Sequence, residues 1–372
     1  LIADPSLLQM NFDRMIEANR TQPYQFQNNP GQWSQYIIEE QRFDSKEFNL
    51  STNYEGVVND FLTLNVGAYY QQYNGHNFKT VHDLLGGDYY VNVNKFFDQG
   101  ENPDGFQFDL NNPNEVVREG DIFGYDYNTH TWKSGVWAQA RFEFSKIDAF
   151  LAANTSRSRI WRTGNYRNGF FPDNSFGDSE KMTFFNYGLK GGLTYKISNQ
   201  YYLYGNMSYR TRAPFARNVF VAPRTRHGFI PELTDEKIFS SEGGFIMNTP
   251  NLKARATAYF TRFEEGTDVT QFFVRGIVTD FGSYILKDVD KVHSGIELAA
   301  EYKINSALRV SGVAALGKYI FTSNPTVMSG HKTHPAFKTP DLGGCGASNG
   351  RVEEAQNKFF TFAVTFPFSI RN

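Results

Sequence analysis

The chain has 372 residues, a formal net charge of −2 and one cysteine. One cysteine excludes a disulfide-stapled scaffold, and a nearly neutral chain has no global field to attract nucleic acid, so we expect no nucleic-acid partner. Aromatic residues make up 16%, with 36 Phe and 21 Tyr, and the chain has 32 Gly. This composition fits many aromatic-rich strands joined by turns.

No run approaches the roughly 18 apolar residues of a membrane-spanning helix, and the mean hydropathy is −0.49. A barrel strand crosses with only about 9–11 residues, half of them facing a polar lumen, so low mean hydropathy does not exclude a membrane barrel. The opening LIADPSLLQM lacks the basic start and apolar stretch of a signal peptide. We therefore expect a mature or partial sequence.

Residues 1–45 lack a regular pattern and are interpreted as an extracellular loop leading into a strand. Alternation begins in KEFNLSTNYEG, where one side carries Phe48, Leu50, Thr52 and Tyr54. It returns in FLTLNVGAYYQQY (61–73), where one face carries Leu62, Leu64, Val66, Ala68 and Tyr70. A two-residue period is that of a β-strand, and an apolar face opposite a polar one suits lipid on one side and water on the other.

The same pattern recurs down the chain. SGVWAQARFEF (134–144) and KIDAFLAANTS (146–156) alternate on either side of the turn Ser145-Lys146. Further copies are NYGLKGGLTYKI, YYLYGNMSYRTR, SSEGGFIMN, LKARATAYFTRF, HSGIELAAEYKI and LRVSGVAALGKY. The sequence thus predicts an all-β, antiparallel chain of about 11–12 strands.

The links between the predicted strands fall into two classes that alternate along the chain. Short links such as SK, SNQ and TPN alternate with long ones at 76–131, 166–180, 214–236 and 265–290. Consecutive antiparallel strands place alternate links on opposite rims. This sorting predicts a transmembrane outer-membrane β-barrel over residues 46–322, with short periplasmic turns and long extracellular loops. Residues 323–358 break the pattern and are predicted to be irregular, and 359–372 predict one further strand.

Three stretches carry a family resemblance. VHDLLGGDYYVN (81–92), SYRTRAPFARNVFVAPRT (208–225) and DEKIFSSEGGF (235–245) resemble, in this order, segments of TonB-dependent outer-membrane receptors of the Bacteroidetes type. The resemblance covers roughly 30–322. It implies an outer-membrane transporter for a nutrient, with outer-membrane lipid, TonB and a surface lipoprotein lid as candidate partners. Members carry a plug domain inside a barrel of 22 strands; no plug is recognisable here, so the resemblance implies a partial barrel.

Basic residues are dense at the end of YYLYGNMSYRTR and in the predicted loop after it. The candidate ligand-binding residues are Arg210, Arg212, Arg217, Arg224, Arg226 and His227, together with Tyr89 and Tyr90 in the first long loop. Arginine offers a rigid fork to carboxylate or phosphate, so the basic group could attract an anionic ligand; the alternative is solvated loop charge. The ligand class stays open between an iron chelate, cobalamin, an oligosaccharide and a peptide.

Signals for catalysis and metal binding are weak. His331 and His334 lack further ligands at a fixed spacing, Cys345 is a lone thiol, and Glu297 and Glu301 share one strand face about 13 Å apart, which is too far for joint acid–base work. We therefore predict no enzyme activity, no metal and no cofactor. A passive porin and a barrel enzyme remain the alternatives.

Overall fold

The computed structural model describes residues 9–21, 29–95, 103–274, 280–306, 308–331 and 355–365. One helix, α1 (Phe12–Arg20), precedes the strands. The strands are β1 (Ile38–Asn59), β2 (Leu62–Asp83), β3 (Tyr90–Val91), β4 (Val116–Val117), β5 (Ile122–Glu143), β6 (Ile147–Gly164), β7 (Gly177–Asp178), β8 (Met182–Lys196), β9 (Tyr201–Arg212), β10 (Glu236–Asn248), β11 (Leu252–Val274), β12 (Asp280–Lys303), β13 (Arg309–Phe321), β14 (Thr326–His331) and β15 (Ala355–Thr365).

Most of the strands form one antiparallel sheet in chain order. Its path runs β1-β2-β5-β6-β8-β9-β10-β11-β12-β13-β15, while β7 and β14 pair with β6 and β12 beside this path. β1 and β15 are its two ends, so the sheet is open over the described residues. The predicted all-β antiparallel architecture is confirmed. Among the described residues, no helix is long and apolar enough to cross a bilayer.

The two faces of the sheet differ in chemistry. We call outward the face that carries Leu64 and Val66, whose side chains are 40% and 44% exposed, and inward the opposite face. Leu151, Leu189 and Leu298 lie on the outward face and are 62%, 57% and 49% exposed. No described helix or second sheet covers these side chains. An apolar face left open in this way matches the lipid-facing band of a membrane barrel.

Several strands continue far beyond the predicted ends. The predicted loop at 265–290 is wrong over most of its length, because β11 runs to Val274 and β12 begins at Asp280. The predicted loop at 76–131 likewise loses its two ends to β2 and β5. The residues that extend these strands do not alternate strictly between apolar and polar side chains. Register shifts between Phe263 and Asp268 also interrupt the pairing of β11 with β12. A hairpin that rises into water keeps its backbone ladder without a lipid face, so the two-residue period disappears.

The terminal segments contain regular structure as well. Within 1–45 the structure has α1 and the start of β1, and within 323–358 it has β14, which pairs with β12. β15 pairs with β13 from Ala355 to Thr365. Residues 366–372, His334 and Cys345 lie outside the described residues.

The buried core lies at the long-loop rim rather than along the sheet. We call the mouth layer the described connecting segments at that rim, residues 84–95, 103–121, 165–181 and 213–235. Ile160 and Phe184 point inward from β6 and β8 and pack with Val219 and Phe220 of the mouth layer. A second cluster joins Val81 and Leu84 to Val117 and Phe123. The loops therefore fold onto the inward face and bury their own apolar side chains there.

Candidate functional site

Backbone hydrogen bonds join the connecting segments of the mouth layer into one unit. Leu110 N donates to Arg167 O at 2.7 Å, and Gly169 N donates to Gln107 O at 3.0 Å. His227 N donates to Asn174 O at 2.9 Å, which connects the segment 213–235 to the segment 165–181. Loops that satisfy one another's polar backbone groups can stay ordered at a surface where no strand pairs with them.

Arg162 connects two of these segments from the top of β6. Its side chain is buried, with 2% of the residue exposed. Nε donates to Pro223 O at 2.6 Å and Nη1 donates to Ser175 O at 2.8 Å. Nη1 also donates to His227 Nδ1 at 3.0 Å, and the guanidinium lies 5.1 Å from the Tyr127 ring centroid. A buried guanidinium is stable only when its donors are matched, and here loop acceptors and an aromatic face meet it.

The backbone beside this arginine leaves no room for another side chain. A Cβ built on Gly164 would lie 1.7 Å from Ser175 O and 2.5 Å from Arg162 Nη1. Contacts this short require the loop to move, so a side chain at this position is incompatible with the Arg162–Ser175 contact.

The Arg162 contact also fixes the protonation state of His227. A guanidinium nitrogen only donates, so His227 Nδ1 must accept, and the proton of the neutral ring lies on Nε2, which donates to Phe176 O at 3.3 Å. Burial, and then the nearby Arg162 charge, lower the pKa of His227 from its ordinary value of 6.5, against the opposing influence of the Phe176 carbonyl and Asp178. The site therefore favours a neutral imidazole.

Acidification is expected to loosen this part of the mouth layer. The pKa of His227 lies below 6.5 in the folded site and returns to its ordinary value of 6.5 when the site opens. Between these two pKa values the open state binds more protons than the folded state. Local stability therefore falls as the pH drops through that window. Hydrogen exchange of 219–230, corrected for intrinsic rates, should be faster at pH 5 than at pH 7.5. His227→Asn keeps a neutral acceptor and should lose this dependence; an unchanged pH response would contradict the assignment.

The predicted basic residues do not form one anion site. The Arg212 guanidinium pairs with Glu236 and lies 4.7 Å from the Phe215 ring centroid, while Arg217 lies 5.6 Å from the same ring. Both line a small cavity of about 120 Å³ with the acidic residues Glu236, Glu265 and Asp268. Its charges are mixed, so electrostatics alone do not select an anion there.

The remaining basic residues are spread over different surroundings. Arg210 lies on the inward face and is exposed, opposite Gly188 and Ile238. Arg224 is exposed and stacks over Tyr125 at 4.6 Å. Arg226 is buried against Phe171 at 4.8 Å, and its burial lowers the pKa of the guanidinium. Arg224 and Arg210 therefore stay accessible to a ligand, whereas Arg226 packs within the mouth layer.

The two predicted tyrosines serve the core of the first loop. Tyr89 is buried with Val91 and Val93, and its carbonyl accepts from Ser34 N at 2.7 Å. Tyr90 meets Phe123 edge-on at 5.4 Å, and Lys95 Nζ lies 4.2 Å from the Tyr90 ring centroid. Burial, followed by the Glu39 charge, raises the pKa of Tyr90 to about 12. Neither ring is placed to stack on a ligand from solvent without rearrangement of this loop.

A larger cavity lies deeper, on the inward face of β8 to β13. It has a volume of about 800 Å³, and its polar lining includes Lys190, Asn206, Glu242, Arg255 and Glu297. These groups pair across strands. Asn206 Nδ2 donates to Glu242 Oε1 at 2.7 Å, and Arg255 Nη2 donates to Tyr204 OH at 2.7 Å. The inward face is thus polar and charged, as the alternation predicts for the side that faces a lumen.

Arg162 was missed by the sequence analysis. It lies in SRSRIWRTG, where Arg157 and Arg159 share one face of β6 and Arg162, three positions after Arg159, lies on the other face. The two-residue period could have placed Arg162 on the face opposite Arg157 and Arg159. It could not have revealed the loop partners of Arg162, because they are distant in sequence. For metals, the described residues contain no group of three or more His, Cys, Asp or Glu side chains that could hold an ion.

The chain is similar to several solved structures. A copper transporter, OprC, superposes with a TM-score of 0.50 at 10% identity, covering 78% of this chain and 44% of that chain. The FrpB iron transporter from Neisseria meningitidis (F3-3 variant) gives 0.49 at 13% identity, with 76% and 36% covered. The ferric yersiniabactin uptake receptor FyuA from Yersinia pestis gives 0.46 at 11%, with 77% and 37% covered. None of the curated proteins matches the sequence.

The chain spans less than half the length of these three solved structures. At 10% identity the OprC likeness shows a shared fold only. The family model described as TonB dependent receptor-like, beta-barrel matches residues 5–345. This match covers most of the sequence and agrees with the antiparallel sheet, the open apolar outward face and the polar inward face. The chain belongs to the TonB-dependent receptor-like β-barrel family.

Proposed function

We propose that the chain forms part of the barrel of a TonB-dependent transporter in a bacterial outer membrane, and that this transporter takes up a nutrient ligand. The observation that carries the proposal is the division between the faces. Leu64, Leu151 and Leu298 are open on the outward side, while Lys190, Glu242 and Arg255 line a cavity of about 800 Å³ on the inward side. A bilayer outside and water inside account for both faces at once.

The mouth layer supplies the proposed entrance for the ligand. Arg224 of the mouth layer and Arg210 at the adjoining end of β9 are exposed, and Arg217 adds a third accessible guanidinium beside Phe215. Guanidinium groups next to aromatic rings bind carboxylates, phosphates and flat chelates through charge-assisted hydrogen bonds and stacking. This chemistry favours an anionic ligand, such as a ferric chelate, over a neutral one, but leaves cobalamin, oligosaccharides and peptides to be compared directly.

The proposed partners follow from the family. A plug inside the completed barrel would contact the inward charges, and TonB would act on that plug from the periplasmic side. A surface lipoprotein lid would meet the mouth layer. The polar pairs Asn206–Glu242 and Arg255–Tyr204 leave an inward surface that suits reversible contact with a plug.

Uptake by cells tests the proposal. The protein would be produced in an outer-membrane reporter strain without competing receptors and offered labelled ferric chelates, cobalamin, oligosaccharides and peptides, with and without TonB. We expect accumulation of one of these probes that depends on TonB. Accumulation that persists without TonB would point to a passive porin, and a failure of every probe to accumulate would contradict the nutrient role.

The double variant Arg210→Ala/Arg217→Ala should lower uptake of an anionic probe. Arg141→Ala should not, because Arg141 pairs with Glu143 away from the mouth layer.

A further inference from the structure

The outward face of β6 changes character part-way up the strand. From the short-turn rim it carries Ile147, Ala149, Leu151, Ala153 and Thr155 in succession, without a charge. Arg157 and Arg159 then follow on the same face. Their register confirms this side: Arg157 pairs with Ser134 and Phe185, and Arg159 pairs with Trp132.

The change occurs at the height where the membrane should end. Arg157 lies ten positions after Ile147, the first residue of β6. Ten residues at about 3.3 Å each, on a strand tilted by about 45°, rise about 23 Å. The apolar band of an outer-membrane barrel is about 25 Å tall. The two arginines therefore lie at the level of the lipid headgroups on the long-loop side.

A cavity opens between these arginines on the outward face. Its volume is about 230 Å³, and its lining includes Tyr70, Trp132, Ser134, Arg157 and Arg159. Two guanidinium groups and hydroxyl groups thus border a space large enough for a phosphate group, beside aromatic rings suited to the membrane interface.

The two arginines of this cavity have no carboxylate partner among the described residues. Neither Arg157 nor Arg159 forms an ion pair with a residue that the structure describes. The Nε1–H of Trp132 is buried, so this ring borders the cavity with its aromatic surface rather than with an accessible donor. Two cations without a carboxylate partner at one cavity are complementary to an anion with several oxygens.

We propose that this cavity binds the phosphate of an anionic lipid headgroup in the outer leaflet, held by Arg157 and Arg159 beside the Trp132 ring. The inference rests on the proposed membrane setting, because it places the cavity at the headgroup level. It concerns a lipid held on the outside of the barrel, separate from the nutrient path on the inward side.

Neighbouring charges do not neutralise the site. Lys181 lies above it with its Nζ 4.7 Å from the Trp161 ring centroid, which adds positive charge at the same interface. Asp178 accepts from Thr163 Oγ1 at 2.5 Å, higher on the strand and outside the cavity lining. The acyl chains of a bound lipid would lie along the apolar residues below Arg157.

Native mass spectrometry of the detergent-extracted protein measures the binding. The probes are diphosphoryl lipid A, an acyl-matched glycolipid without phosphate, and inorganic phosphate. We expect the phosphorylated lipid to bind in preference to the other two, and the double variant Arg157→Gln/Arg159→Gln to bind it roughly tenfold more weakly or worse, since charge-assisted hydrogen bonds are lost. Equal binding by the wild type and the double variant would overturn the proposal, as would equal binding of the lipid without phosphate.

Arg262 provides a matched control. It lies on the outward face of β11, ten positions after Leu252, so it stands at the same height, but its guanidinium pairs with Glu264 at 2.7 Å. Arg262→Gln should leave lipid binding unchanged; a loss as large as that of the double variant would mean that general surface charge, rather than this cavity, holds the lipid.

Folding of each variant in vesicles is measured separately. A protein that never enters vesicles would contradict the proposed membrane setting, whereas normal insertion without selective lipid binding would contradict only the lipid site.

Discussion

Leu151→Arg is expected to reduce the free energy of unfolding in phospholipid vesicles by about 2–4 kcal/mol, the cost of an arginine at the middle of a barrel's lipid face. Leu151 is 62% exposed on the outward face of β6, and it lies four positions after Ile147. At this depth a guanidinium finds neither water nor an acceptor. Reversible urea unfolding of the protein in vesicles, followed by tryptophan fluorescence, gives the difference.

Gln139→Arg is the matched control for this substitution. Gln139 lies on the inward face of the neighbouring strand β5 and pairs with Ala152, while Leu151 pairs with Ala140, so the two positions share one height. A new arginine at 139 projects into the wet lumen and should change stability by no more than about 0.5 kcal/mol. If both substitutions cost the same, or if Leu151→Arg is harmless, the outward face does not touch hydrocarbon.

Arg162→Ala is expected to open the mouth layer without unfolding the sheet. The change leaves Pro223 O, Ser175 O and His227 Nδ1 without their buried donor. Unsatisfied buried acceptors cost about 1–3 kcal/mol each, so the local loss should be about 3–5 kcal/mol. Hydrogen exchange across 165–181 and 213–230 should then be faster by on the order of 10²–10⁴-fold, while exchange in the lower half of β6 stays slow.

Two further variants make this test specific. Arg162→Lys keeps the charge but cannot reach several acceptors in fixed directions, so it should fall between the wild type and the alanine variant. Arg159→Ala removes an arginine three positions away on the opposite face of β6 and should leave exchange in the mouth layer unchanged. Equal acceleration in Arg159→Ala and Arg162→Ala would mean that the mouth layer depends on net charge rather than on the Arg162 hydrogen bonds.

If both expectations hold, the molecule divides into two zones stabilised by different forces. Around Leu151 the sheet depends on its backbone ladder and on lipid outside it, because few side chains there are buried. Around Arg162 the strands emerge into water, and the loops must supply a core of their own, such as the cluster of Ile160, Phe184 and Val219. A ligand entering from outside meets the second zone first, so variants that loosen it should alter uptake before they alter membrane insertion.

The sequence by itself determined the apolar outward face. Leu64, Val66 and Leu151 reveal their common face through a two-residue period, because each strand of the sheet separates an apolar side from a polar side in the same way. The short links at one rim could equally be predicted from the sequence. The strand ends beyond the apolar band could not be recognised in the sequence. A hairpin without an apolar face needs only its backbone hydrogen bonds, so 265–290 was interpreted as a loop.

Only the tertiary structure decided what the arginines do. Arg157, Arg159 and Arg162 follow one another within six residues, yet the first two line an outward cavity and the third is buried among loop carbonyls. Arg212 and Arg226 look alike in sequence, but one pairs with Glu236 and the other packs on Phe171. The role of a cation depends on which partners reach it, and here those partners lie up to 65 positions away along the chain, where no local pattern records them.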